Sequence, residues 1–127
     1  MSMNIDSKLN NENGFWDVSL QGELDVSTAD KLKEHLHNLA DEKILDMKIN
    51  LENLDYIDST GLGAMIGVLK KLKTDNKEIY IIKGDERELV KCIDLNKDGN
   101  LIIKDNNDSI REIMSGEVSI RGVKGYV

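Results

Sequence analysis

Residues 55–63 read Asp55-Tyr56-Ile57-Asp58-Ser59-Thr60-Gly61-Leu62-Gly63 and bring carboxylates, hydroxyls and glycines together in one short run. An apolar series at helical spacing follows at once (Leu62, Met65, Ile66, Leu69, Leu72), so the run opens a helix. Ser59 falls at the N-cap, where a serine hydroxyl points outward and satisfies a free backbone N–H. Glycine inside a helix costs roughly 1 kcal/mol against alanine. Gly61 and Gly63 in a first turn therefore predict a need for bare backbone, and at an exposed helix start the close neighbour is a partner. Gly61, Ala64 and Gly67 extend a stripe of small residues, which for Ala64 and Gly67 reads equally well as packing against the sheet or another helix.

Several chemistries are excluded by what this run lacks. A phosphate-cradling P-loop needs a lysine after its glycines, and none follows here; Gly61-Leu62-Gly63 is also too little for a dinucleotide fingerprint. A nucleophilic Ser59 needs a base. The histidines, His35 and His37, lie mid-helix in a charged stretch, point to different faces and read as solvated surface. The expectation is a protein that is not an enzyme and uses no cofactor or metal, with Ser59 the substrate of another protein's kinase. A phosphate there carries about −1.5 to −2 charges. Free N–H groups and the helix dipole tolerate an anion at a helix start. Phosphorylation is therefore expected to spare the fold and act at a binding surface beside Asp58, as a local switch read by a partner.

A second constellation competes. Asp94, Asn96, Asp98, Gly99, Asn100, Ile102 and Asp105 fit the D-x-[DN]-x-[DN]-G pattern of an EF-hand-like calcium loop over 94–105. Against it, Asp105 is shorter than the usual bidentate Glu, Leu101-Ile102-Ile103 looks like a strand where a helix should exit, and such turns are common for plain turn chemistry. Cys92 lies on an apolar stripe and reads as buried filler. Of Phe15 and Trp16, neighbours on a strand, the solvent-facing one would mark a contact.

The elements that must position these residues follow from periodicity. Residues 3–9 and 15–21 read as an antiparallel hairpin across Asn11-Glu12-Asn13-Gly14. Ser27, with Asp30 three residues on, approximates a capping box for a helix over 28–40, whose apolar positions are Ala29, Leu32, Leu36, Leu39 and Ala40. Met47, Ile49 and Leu51 alternate with Lys48, Asn50 and Glu52, a half-buried strand. Further expectations are a helix over 60–74, a buried strand at 79–82, a helix over 86–94, a short edge strand at 101–103 and a helix near 108–115. The order ββαβαβαβα predicts an α/β fold: a mixed sheet of about five strands, largely parallel after the opening hairpin, with about four helices. Residues 1–115 form one domain and 116–127, with three glycines, a loose tail. The run 55–63 then lies beyond the carboxyl end of a strand, where sites form in open α/β sheets.

The whole chain sets the class. At 127 residues, 39% apolar and 32% charged, it is expected to fold as one ordinary globular domain. With 4% aromatic residues the core must rest on Leu, Ile and Val. Its apolar runs fall far short of the roughly 20 residues needed to span a bilayer, and the N-terminus has no signal-peptide pattern. One cysteine rules out an internal disulfide and, with these features, makes the cytoplasm the expected location. A net charge of −7 disfavours nucleic acid and anionic membranes as partners. Lys70, Lys71 and Lys73 cluster at a helix end, where they suit the dipole.

Gly22-Glu23-Leu24-Asp25 followed some 30 residues later by Asp58-Ser59-Thr60-Gly61-Leu62-Gly63 resembles the anti-sigma-factor antagonists, the stand-alone STAS-domain proteins of bacteria, over about residues 3–110. The general-stress and sporulation members are the nearest in pattern. The resemblance implies a STAS fold and a protein that, unphosphorylated, binds an anti-sigma factor that is also a serine kinase and so releases its sigma factor. It implies that this kinase phosphorylates Ser59 and that a metal-dependent PPM-type phosphatase restores the active form. Asp25 and Asp58 match the acidic positions flanking the site, and Thr60, Gly61, Leu62 and Gly63 match the helix start that meets the kinase. The family's short F-D-x-x-G-L turn is replaced here by the more polar stretch Cys92–Leu101. The alternatives are a calcium-binding protein using 94–105 and a STAS-fold scaffold in which Ser59 is only a cap.

Overall fold

The computed structural model describes residues 2–82, 90–95, 101–104, 110–112, 117–120 and 123–126, with side chains as far as Ile81 apart from Ser59 and Leu62. The chain opens with β1 (Met3–Asn10) and β2 (Phe15–Leu24), the expected antiparallel pair, with Asn10 opposite Phe15. Gly14 closes the turn at φ +71°, its N–H donating to the Asn10 carbonyl over 2.9 Å. The register of β2 shifts twice near its end, around Ser19/Gln21 and Gly22/Glu23. At this irregularity Gly22 takes φ +106°, and a Cβ there would fall 2.3 Å from the Ser2 carbonyl oxygen. Only glycine fits both the angle and the space.

Helix α1 (Ala29–Glu42) buries Ala29, Leu32, Leu36, Leu39 and Ala40, the stripe that its spacing predicts. Its N-cap is Thr28 rather than Ser27, and Asp30 closes no capping box. Strand β3 (Asp46–Ile57) then buries Met47, Ile49 and Leu51 by alternation and continues five residues past the expected end at 52. The helix expected over 60–74 is broken into α2 (Ser59–Gly63) and α3 (Ile66–Lys73). Three glycines in seven residues weaken the helical ladder there, and the Ala64 N–H is shared between the carbonyls of Thr60 and Gly61. Strand β4 (Ile79–Ile82) lies beside β3. The helices cover a core of Val18, Leu20, Leu24, Met47, Ile49, Leu51 and Ile57 from the sheet with Leu32, Leu36, Met65, Val68 and Leu69. Phe15 and Trp16 are both buried, so neither faces solvent: Trp16 donates its indole N–H to the Lys43 carbonyl at 2.9 Å, and the Lys48 ammonium stands 4.1 Å from the Phe15 ring centre.

The sheet is mixed, as expected, but less parallel. β2 and β4 flank β3 in parallel, whereas every later strand is antiparallel to its neighbour. In place of the expected third helix, Val90–Leu95 forms β5, pairing Ile79 with Ile93 and Tyr80 with Cys92; residues 86–89 of that expectation lie outside the described residues. The spacing of Leu89, Cys92 and Ile93 suits a helix, but the open edge of β4 offers a row of backbone groups that a strand satisfies and a helix does not. β6 (Leu101–Lys104) confirms the expected edge strand as a strand, and β7 (Ile110–Glu112) adds to it where a fourth helix was expected. The described strands of this sheet run in sequence order, β1 to β7. Residues 116–127, expected as a loose tail, contain the antiparallel pair β8 (Glu117–Ile120) and β9 (Val123–Tyr126), the latter lying against β3. The described residues form nine strands and three helices, so the expected counts of about five strands and about four helices are not confirmed. Among the described residues no helix is long and apolar enough to cross a membrane.

Candidate functional site

Parallel strands β2 and β3 end side by side, Leu24 opposite Ile57, and the two loops that leave them meet. The Asp58 N–H donates to the Leu24 carbonyl at 3.2 Å, which carries the strand pairing one residue beyond β3. The Asp58 carboxylate then accepts the Gly61 N–H at 2.9 Å. That is the bond an N-cap makes to the third residue of its helix. The cap is therefore Asp58, and Ser59, expected at that position, is the first helical residue instead. Both residue types cap well, and the backbone bond to Leu24 decides between them by fixing Asp58 in the extended register.

Gly61 answers the need for bare backbone, with a different neighbour from the one expected. A Cβ on Gly61 would lie 2.5 Å from Leu24 Cγ and 2.8 Å from the Leu24 carbonyl oxygen, so the close approach is made by this chain's own β2. Gly63 has open space where a Cβ would go, and Thr60 is exposed. The side chains of Ser59 and Leu62 lie outside the described residues. Ala64 is buried, and a Cβ on Gly67 would come 3.3 Å from His37 Nε2, so the stripe of small residues packs internally.

Across the junction, Asp25 is buried and organises the turn into α1. Its Oδ1 accepts the Ser27 N–H at 2.8 Å and the Ser27 hydroxyl at 2.6 Å. Thr28 Oγ1 donates to the Glu23 carbonyl at 2.8 Å and accepts the Asp25 N–H at 2.9 Å. The Ser27 hydroxyl, above all, holds the Asp25 carboxyl below its ordinary value of 3.8. Between these pinned residues stands Val26, 76% exposed. Sequence reading missed Val26; the signal available was an apolar β-branched residue directly after Asp25 in a turn otherwise built from Ser27 and Thr28.

The histidines, read as solvated surface, are half-buried and each meets a neighbouring element. His35 Nε2 lies 2.9 Å from Ser7 Oγ on β1, and His37 packs beside Gly67 of α3. Nearby, Lys71 pairs with Asp41 and holds that carboxyl below its usual range, joining α1 to α3. Of the calcium-loop reading of 94–105, residues 96–100 and 105 lie outside the described residues, and the flanks do not have the form of an EF-hand. Asp94 and Ile102, the first and ninth positions of that loop, are paired across β5 and β6, and strands stand where an EF-hand needs helices.

A model of the STAS domain matches residues 8–97, and a model of the biotin protein ligase C terminal domain matches residues 74–121. Among known proteins, an anti-sigma-B factor antagonist of Staphylococcus aureus is 40% identical over 85 residues, covering 67% of this chain and 79% of that protein. Among solved structures, an anti-sigma factor antagonist from Mycobacterium paratuberculosis aligns with TM-score 0.52 at 21% identity over 63% of this chain and 68% of its own. The anti-sigma factor antagonist SpoIIAA in its unphosphorylated form aligns with TM-score 0.51 at 18% identity over 61% and 71%.

Proposed function

The chain belongs to the STAS-domain family of anti-sigma factor antagonists, and from that premise we propose that Ser59 is its switch: with a free hydroxyl the protein binds an anti-sigma factor, and with a phosphate it does not. The anti-sigma factor is itself the serine kinase. It transfers the γ-phosphoryl group of ATP to Ser59 Oγ: the new O–P bond forms as the bond to ADP breaks, and the hydroxyl proton passes to a base of the kinase. A PPM-type phosphatase hydrolyses the ester and returns serine and inorganic phosphate. The chain works by binding, in the cytoplasm, and performs no catalysis of its own.

The observation that carries this reading is the position of Ser59 between two fixed points. Asp58 is tied to Leu24 and caps Gly61, so Ser59, directly after the cap, opens α2 at the junction of two strand ends, next to exposed Thr60. That one of the similar structures is described as an unphosphorylated form accords with a phosphorylated counterpart. About −1.5 to −2 added charges beside the Asp58 carboxylate, on a chain at −7, change how this end of the sheet meets a partner.

Intact-mass measurement after incubation with the anti-sigma factor of the same genome and ATP tests the switch. One added phosphate on the wild type and none on Ser59→Ala is expected; an unmodified wild type would leave Ser59 with a structural role alone. Ser59→Asp should lose partner binding while changing unfolding free energy by less than about 0.5 kcal/mol, as for surface substitutions generally.

A further inference from the structure

We propose that Val26 is the apolar anchor by which the anti-sigma factor grips this chain, seated in a pocket of that partner with a basic rim. The inference rests on the reading of Ser59 as a switch and adds a contact that the phosphate does not touch. Among the described residues Val26 is the large apolar side chain left exposed, at 76%. A lone exposed apolar residue is ordinary on a protein surface, so exposure does not carry the case by itself.

Two further observations do. The first is rigidity. Asp25, buried, takes two hydrogen bonds from Ser27 at 2.8 and 2.6 Å, and Thr28 Oγ1 bonds both the Glu23 carbonyl and the Asp25 N–H. The backbone on each side of Val26 is thus fixed, and a β-branched side chain has little rotamer freedom to lose. A stiff, projecting apolar group binds with a small ordering penalty. The fold itself gains nothing from it, since the turn's hydrogen bonds come from its neighbours and turns favour Gly, Asn, Asp or Ser.

The second is continuity with the switch. Val26 is two residues from Leu24, whose carbonyl accepts the Asp58 N–H and whose side chain and backbone press on Gly61. A partner that reads Ser59 therefore meets Val26 on the same rigid junction. The surroundings set the partner's chemistry. Residues 20–30 and 50–65 contain Glu23, Asp25, Asp30, Glu52, Asp55 and Asp58 but neither lysine nor arginine. An apolar centre within an acidic margin fits an apolar pocket edged by basic side chains.

The test uses the full chain and the anti-sigma factor of the same genome, with binding followed by surface plasmon resonance and Ser59 phosphorylation followed kinetically. Val26→Asp should weaken binding at least tenfold, mostly through faster dissociation, and Val26→Ala several-fold. Both should raise KM for phosphorylation with kcat nearly unchanged, and neither should shift the melting temperature. If the wild type binds, Ser59→Asp does not, and both Val26 variants bind as the wild type does, the anchor is refuted while the switch stands. If the wild type does not bind, both fall together. If instead the wild type sediments as a dimer that Val26→Asp dissociates, the occupant is a second copy of this chain and the proposal is wrong.

Discussion

At Gly61 and Gly63, two glycines of identical appearance in the sequence serve opposite ends. Gly61→Ala places a methyl 2.5 Å from Leu24 Cγ and 2.8 Å from its carbonyl oxygen, and one of these contacts is immovable backbone. Urea unfolding should show a loss of about 1–3 kcal/mol, the usual size of overpacking. Gly63→Ala meets nothing within 4 Å and should leave stability unchanged or raise it by up to roughly 1 kcal/mol, since alanine favours a helix. Asp25 supplies a prediction in pH. Its folded value lies below the ordinary 3.8, so its contribution to stability is complete above that value and is lost as pH falls through the lower folded one. Asp25→Asn should therefore be less stable than the wild type at pH 7, with the gap closing below 3.8, measurable as urea midpoints across the acid range. The sequence singled out this run and placed its cap one residue late. Asp58 and Ser59 are both good caps, and only the tie of Asp58 to Leu24, a contact distant in sequence, separates them.

Among the elements, α1 and the first half of β3 were legible because each has one buried face and therefore a clean period of 3.6 or two, while β4 was legible as a short apolar run. The end of β2 was less so: the register slips around Gly22, and only the packing of Ser2 shows why. Gly22→Ala, with φ +106° and a carbonyl 2.3 Å from the new methyl, should cost more than about 1–3 kcal/mol because strain adds to overpacking. A chevron or urea series in which Gly22→Ala matches the wild type would show that β2 relaxes its bulge at no cost. The segment after β4 was misread as helical. Leu89, Cys92 and Ile93 satisfy a helical spacing by coincidence of three positions, and the unpaired edge of β4 overrode it with a ladder. The polar run 94–105 is ambiguous in sequence because Asn, Asp and Gly are favoured in turns and are also the types found in calcium loops.

The molecule as a whole joins two sequence patterns. The STAS match ends at residue 97 and the ligase-domain match begins at residue 74, and the described strands change from parallel to antiparallel after β4, within that overlap. Composition and motifs therefore foretold the first two-thirds of the chain better than the last third, whose described strands are short and pair with their sequence neighbours. β3, the strand that delivers Ser59, has a neighbour on each side in the sheet, and its last bond runs on to Asp58. Under the switch proposed above, the kinase has to recognise Ser59 at the end of a paired strand and not as an extended strip. A synthetic peptide of residues 53–65 should accordingly be a poor substitute for the intact chain, phosphorylated at least a hundredfold less efficiently in a direct competition; equal turnover of the two would mean that recognition needs only the local string of letters.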